Sequence, residues 1–143
     1  MKIVIPILSL LLFSCVTTPH DKTPLNDENI RKLLIGTWVC APSDQRCFPS
    51  RSTYHNDGTL EFVRYKTQRC EIPVNETTAQ WRVKNRRVII VVQKSIGSVL
   101  FEPGLTTVSE VVAISEGELT LLGQKGQMNY RVKSERCVSV EGE

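Results

Sequence analysis

Hydrophobic positions change their spacing twice along the chain. Ile3 to Phe13 is an almost unbroken apolar run, interrupted only by Pro6 and Ser9. Between residues 25 and 34 apolar side chains recur at helical intervals, and from Ile35 onward they alternate with polar ones in short stretches. The first pattern predicts an export leader, the second a helix and the third a series of β-strands.

The predicted helix covers Leu25 to Leu34. Asn26 is placed to cap it, and Asp27 and Glu28 stand in the first turn, where the helix dipole favours negative charge. Leu25 and Ile30 occupy the two positions of a hydrophobic staple. Ile30, Leu33 and Leu34 share one face, and Gly36 ends the element. Strands are predicted at Ile35–Cys40, Ser52–His55, Leu60–Lys66, Gln80–Val83, Arg87–Val92, Thr106–Ile114, Leu119–Leu122 and Met128–Lys133. Asn56-Asp57-Gly58, Lys84-Asn85-Arg86, Ser115-Glu116-Gly117-Glu118 and Gln124-Lys125-Gly126 supply turns between them.

Eight strands joined mostly by hairpins bury their edges best by closing on themselves. The expected fold is therefore all-β, a small eight-stranded antiparallel up-and-down barrel behind a short N-terminal helix. An open two-sheet sandwich is the competing arrangement. Alternation assigns Leu60 with Phe62, Trp81 with Val83, and Met128 with Tyr130 and Val132 to single, inward faces. Arg87 to Val92 is apolar on both faces, as for a strand whose outer side is covered.

The apolar run at the start is too short to cross a bilayer as a helix, which takes ~20 residues. After the positive Lys2 it suits a signal-peptide core. It ends in Leu12-Phe13-Ser14-Cys15, which resembles the lipobox of bacterial lipoproteins; Phe13 departs from that pattern, where a small or β-branched residue is usual. The resemblance implies that residues 1–14 are removed as a signal peptide and that Cys15 becomes a lipid-bearing first residue. Buried acyl chains such as palmitate contribute ~0.8 kcal/mol per methylene, so two or more make a stable anchor. Val16 replaces the aspartate with which that family marks inner-membrane retention, so the analogy favours the outer membrane of the cell envelope. An ordinary secretory signal, with Cys15 incidental, is the simpler alternative. Residues 15–25 then form a tether. Val16 to Pro24 is polar, broken by Pro19 and Pro24, and reaches ~30 Å when extended. His20 is a tether residue, and the folded domain spans 26–140.

Hydrophobic content of 41% with 23% charged residues belongs to a globular chain, and 143 residues suit one domain. Loss of Lys2 with the leader lowers the formal charge from +3 to 17 basic against 15 acidic side chains, too small an excess to imply a nucleic-acid partner. Once Cys15 is acylated, Cys40, Cys47, Cys70 and Cys137 remain, an even set that predicts two disulfides formed outside the cytosol. Proximity favours Cys40 with Cys47 and leaves Cys70 with Cys137. In a simple meander those last two lie near opposite barrel ends, so either the Cys70 segment runs back along the barrel or the pairing differs. There is no C-x-x-C pair and the histidines are His20 and His55, so the sequence indicates neither a metal nor a cofactor.

Gly36-Thr37-Trp38 after a short helix, on the first strand of an eight-stranded meander, resembles the lipocalin-like barrels of the calycin group. Asp57-Gly58-Thr59 before Leu60-Glu61-Phe62, with Trp81 on the fourth strand, is similar to small bacterial lipocalin-like lipoproteins. The likeness covers residues 26 to 133, although Ser115-Glu116-Gly117-Glu118 stands where lipocalins carry T-D-Y. It implies a barrel floor made of Gly36, Trp38 and an arginine near the end of the last strand, Arg131 or Arg136. It also implies an apolar cup for a small ligand, for which Leu60, Phe62, Trp81, Phe101 and Tyr130 are the candidate lining. The segment Gln93 to Leu105, with Leu100, Phe101 and Pro103-Gly104, either lids the mouth or folds onto its own core.

Catalytic chemistry finds little footing. His55 has Tyr54 and Asp57 beside it, but no nucleophile elbow, paired carboxylates or phosphate-cradling glycine loop accompanies them. Arg64, Lys66, Arg69, Arg82, Lys84, Arg86, Arg87 and Lys94 face only Glu71 and Glu76 in their stretch, which makes an anionic lipid or an acidic envelope protein a candidate partner. The expectation is a lipid-anchored, non-enzymatic envelope protein whose barrel binds a small apolar ligand. A solid-core interaction module, an inhibitor or assembly factor working through loops or the basic face, is the alternative. A cup of ~300 Å³ or more separates the first from the second.

Overall fold

Asn26 starts the ordered architecture as its residue type predicts: its side chain accepts the Asn29 N–H at 2.9 Å and caps helix α1 (Asp27–Leu34). The computed structural model describes residues 24–97 and 101–138. After α1 come β1 (Gly36–Cys40), β2 (Ser50–Tyr54), β3 (Thr59–Tyr65), β4 (Pro73–Lys84), β5 (Arg87–Ile96), β6 (Thr106–Ile114), β7 (Glu118–Gly123) and β8 (Met128–Lys133). Each pairs antiparallel with the next, and β8 returns to β1, so the eight strands close into one barrel. Register shifts at Arg64/Tyr65, Thr78/Ala79 and Val111/Ala113 interrupt the ladders; such irregularities bend strands and help a sheet close.

α1 covers one end of the barrel. Its buried Ile30 and Leu34 join Trp38, Leu60, Trp81, Val88 and Leu119 in the core. Asp27 accepts the N–H groups of Asn85 and Arg86 at 2.8 and 2.7 Å, and Arg31 donates to the Asn56 carbonyl at 2.8 Å. These bonds fasten the helix to the β4–β5 and β2–β3 turns. Asn85 and Arg86 both have positive φ, 52° and 60°, the backbone of a two-residue hairpin turn that matches strand twist.

The hairpins lie where the sequence places them, but β4 begins at Pro73 rather than Gln80, and β5 runs to Ile96 rather than Val92. The extra inward positions of β4 are polar, which hid them. Buried Asn75 donates to Ser95 Oγ and to the Ile96 carbonyl, each at 2.9 Å, and buried Thr77 donates to Asn75 Oδ1 at 3.0 Å.

The inward face of β8 is also corrected. Asn129 and Arg131 line the interior and Lys133 covers Trp38, whereas Tyr130 is 41% exposed. The apolar set Met128, Tyr130 and Val132 is therefore the outer one. Register explains this: Lys133 pairs with inward-facing Trp38, and Arg131 pairs with Cys40 two places along.

Cys40 pairs with Cys47 and Cys70 with Cys137, each with Cα atoms 5.9 Å apart, within disulfide reach. Just past β8 the chain turns ahead of Cys137. Ser134 Oγ accepts the Arg136 N–H at 3.1 Å and donates to the Arg136 carbonyl at 2.6 Å. Two disulfides point to a location outside the cytosol.

Candidate functional site

The floor of the barrel is built at its helix end. Gly36 has φ +122°, and a Cβ there would come within 3.1 Å of Lys133 Cε. Glycine thus suits both the backbone and the lysine stem. Trp38 is fully buried and donates its indole N–H to the Leu34 carbonyl at 2.7 Å. The cation over its ring is Lys133, with Nζ 5.0 Å from the centroid. Arg131 does not take that place. Trp81 belongs to this floor as well: its indole donates to the His55 carbonyl at 3.1 Å, Tyr54 meets it edge-on at 5.2 Å, and Arg31 lies over it.

Above the floor the barrel is unfilled. A cavity of about 200 Å³ opens among Leu60, Phe62, Ile90, Val92, Phe101 and Leu121, with hydroxyl, amide and guanidinium groups from Ser52, Tyr54, Thr77, Asn129 and Arg131 in its wall. Larger depressions, about 370 and 450 Å³, lie beside Arg31 and Arg82 and beside Arg87 and Glu110; the interior one has the more apolar wall. Phe101 packs edge-on against Phe62 at 5.6 Å, so the segment before β6 narrows the cup below the ~300 Å³ of a typical drug-sized site. Since an apolar cavity of 150 Å³ accepts benzene, this one has room for roughly eight non-hydrogen atoms.

Of the candidate lining, Leu60, Phe62 and Phe101 do face the cavity, while Trp81 lies in the floor beneath it and Tyr130 outside. Leu100 and Cys15, like His20, fall outside the described residues. The polar part of the wall was the part the sequence concealed. Arg131 Nη2 donates to Ser50 Oγ at 3.0 Å, while Nη1 is shut off from solvent and has no partner among the described residues. Burial pushes the guanidinium below its usual range, opposed by Tyr54 and Asp44; an arginine nonetheless stays charged in a protein. Burial pushes the Tyr54 phenol up, against the pull of Arg131. Both residues belong to the wall of the same cavity.

His55 offers no comparable arrangement. It sits at the β2–β3 turn with Nε2 3.8 Å from a Glu61 carboxylate, and both are well exposed. Among the described residues no group of three or more His, Cys, Asp or Glu side chains converges as a metal site, and no helix is long and apolar enough to cross a membrane. The eight basic residues divide between the barrel's ends: Arg64, Lys66, Arg69 and Lys94 lie toward the open end, Arg82, Lys84, Arg86 and Arg87 toward the helix end.

No protein-family model matches the sequence, and no curated protein matches it. A solved structure does: a lipocalin-like protein from Bacteroides uniformis, with a TM-score of 0.55 at 12% identity, over 71% of this chain and 99% of that one. The fold is lipocalin-like. At such identity the likeness concerns architecture alone.

Proposed function

We propose that this protein is a lipid-anchored lipoprotein of the cell envelope, held by acyl chains on Cys15, whose lipocalin-like barrel binds a small, largely apolar ligand. The cavity above the Trp38 floor supports the binding part of this reading: at about 200 Å³ it is smaller than the ~300 Å³ cup expected but is not packed solid, and aliphatic and phenyl side chains share its wall with hydroxyl, amide and guanidinium groups. The leader ending at Leu12-Phe13-Ser14-Cys15 carries the anchoring part. Intact-mass and native mass spectrometry of the protein purified from its own membrane test both. The expected species begins at acylated Cys15, contains two disulfides and releases a small molecule on denaturation. A mature chain starting elsewhere, or an unmodified thiol at Cys15, removes the anchor.

A second reading has its own observation. Phe48, Ile72 and Ile96 are 69%, 52% and 57% exposed, and all three lie at the barrel end opposite α1. They favour an interaction module, an inhibitor or assembly factor, that meets an envelope protein or anionic lipid at that end, with Arg64, Lys66 and Arg69 nearby. Retention of a partner protein with no small molecule in the same experiment supports this alternative.

A further inference from the structure

We propose that two copies of this chain pair through the outer face of β3, β4 and β5, at the barrel end opposite α1. Such pairing is independent of what the barrel binds.

Asn75 and Thr77 turn inward on β4, so Val74, Glu76 and Thr78 turn outward. The register sets Glu76 between Val63 of β3 and Ile96 of β5, and Thr78 between Glu61 and Lys94 in the next row. Val74 and Ile96 are exposed, as is Ile72 just before β4. A hollow of about 290 Å³ lies among Val63, Glu76, Thr78, Lys94 and Ile96. Exposed apolar side chains gathered beside a hollow mark an interaction surface, whereas scattered ones do not. The barrel is closed, so its strands present no free edge and contact on this face is made by side chains.

The charges on this face choose the occupant. Ion pairs among the described residues join Lys32 to Glu28 and His55 to Glu61; Glu76 and Lys94 have none there. An anionic bilayer would meet the carboxylates of Glu61 and Glu76 beside Lys94, and would be repelled by them. A second copy offers both signs. Under a two-fold axis every contact between two different residues is made twice. Glu76 of each copy then faces Lys94 of the other, while Val74 and Ile96 exclude water between them. Ion pairs at an exposed rim add little affinity but fix orientation. The apolar patch is small, so the interface belongs with the weak ones that bury less than ~1,200 Å².

Sedimentation equilibrium of the purified full chain in density-matched detergent tests the pairing. A reversible dimer is expected with half-association on the order of 0.1 mM, and Ile96→Asp should weaken it at least ten-fold. Glu76→Lys and Lys94→Glu should each weaken it as well, because each sets like charges across the axis. Mixed together, these two variants should associate more tightly than either does alone, since every opposed pair in the mixed dimer again carries opposite signs. A chain that remains monomeric at ten times the expected concentration overturns the proposal. So does a mixture no tighter than its separate components, or a dimer untouched by Ile96→Asp. Bicelles supply the remaining arm. If the Ile96 methyl resonances respond to bicelles containing phosphatidylglycerol while the chain stays monomeric, the face belongs to a lipid surface and the pairing falls.

Discussion

Lys133 rests over the face of Trp38, its ammonium 5.0 Å from the ring centroid, and the same group donates to the Leu33 carbonyl at 2.9 Å. One side chain thereby joins the last strand, the first strand and the last turn of α1. Cations are favoured at a helix C-terminus and over an indole face. Lys133→Ala should lower stability by about 1–2 kcal/mol, and Lys133→Arg should recover most of it, as urea denaturation will show. Gly36→Ala should cost a similar amount, from positive φ and from the stem of Lys133. Because part of that cost is contact with Lys133, the double variant should be less destabilised than the two singles added together. Strict additivity would contradict the contact.

The helix end offers a second pair. Arg86 has φ 60°, a left-handed backbone that costs a non-glycine residue roughly 1–2 kcal/mol. The Asp27 carboxylate offsets this by accepting both turn N–H groups. Arg86→Gly should stabilise by about 1 kcal/mol, while Asp27→Ala should destabilise by about 1–2 kcal/mol. Hydrogen exchange at Asn85 and Arg86 reports the latter directly: their amides should lose protection in Asp27→Ala before the central strands do. Unchanged exchange there would show that the helix is held by its apolar face alone.

Turn chemistry was the most legible feature of this chain. Asn56-Asp57-Gly58 and Lys84-Asn85-Arg86 lie in the hairpins that their residue types predict, and the Asn26 cap is where it was expected. Helix, strand count and closure follow from such local signals. The interior did not read as well, for a physical reason. Alternation identifies which face of a strand is apolar, and a barrel whose cavity carries polar groups in its wall departs from the rule that this face turns inward. β8 shows it: Arg131 and Lys133 have inward roles that no apolar pattern could announce, and Tyr130 was misassigned in consequence. The first half of β4 was missed because Asn75 and Thr77 are buried as a hydrogen-bonded pair with Ser95. What the sequence leaves unreadable is register between distant strands, and register is what sets Lys133, not Arg131, against Trp38.

The two disulfides close loops of very different size. Cys40 and Cys47 are 7 residues apart, Cys70 and Cys137 67 apart. Chain-entropy reasoning gives about 2 kcal/mol for the first and about 4 kcal/mol for the second. Replacing each pair by serine and comparing urea midpoints should show the Cys70–Cys137 variant as clearly the weaker. The reverse order would mean that the short loop organises the barrel mouth through contacts rather than entropy.

Acid should act on the β2–β3 turn. The Thr59 hydroxyl and backbone N–H both donate to one Asp57 oxygen, at 2.7 and 2.9 Å, and hold the carboxyl below its ordinary value, the hydroxyl being the larger influence. A depressed folded-state value means that this contribution is complete above the unfolded carboxylate range and is lost as pH falls through the lower, folded value. Thr59→Ala removes the hydroxyl and keeps the N–H. The Asp57 midpoint, followed by carboxyl-carbon NMR, should therefore rise part of the way toward the unperturbed value. A midpoint that does not move would assign the depression to the retained Thr59 N–H and to His55 instead.

Alkali should act on the cavity. Burial raises Tyr54 above the ordinary tyrosine value of ~10, and the charge of Arg131 partly offsets that rise. A raised folded-state value means that the associated stability is complete below the unfolded tyrosine value and is lost as pH climbs through the higher, folded one. Arg131→Met removes the offset, so Tyr54 should ionise at still higher pH, an outcome readable from its ring-carbon NMR signal. The same substitution replaces an unpaired buried charge by an apolar chain of similar length, a change that is often neutral or stabilising. At neutral pH Arg131→Met should then be at least as stable as the parent chain. A loss of more than ~1 kcal/mol would instead make Arg131 a structural residue, with the Ser50 hydrogen bond as its purpose.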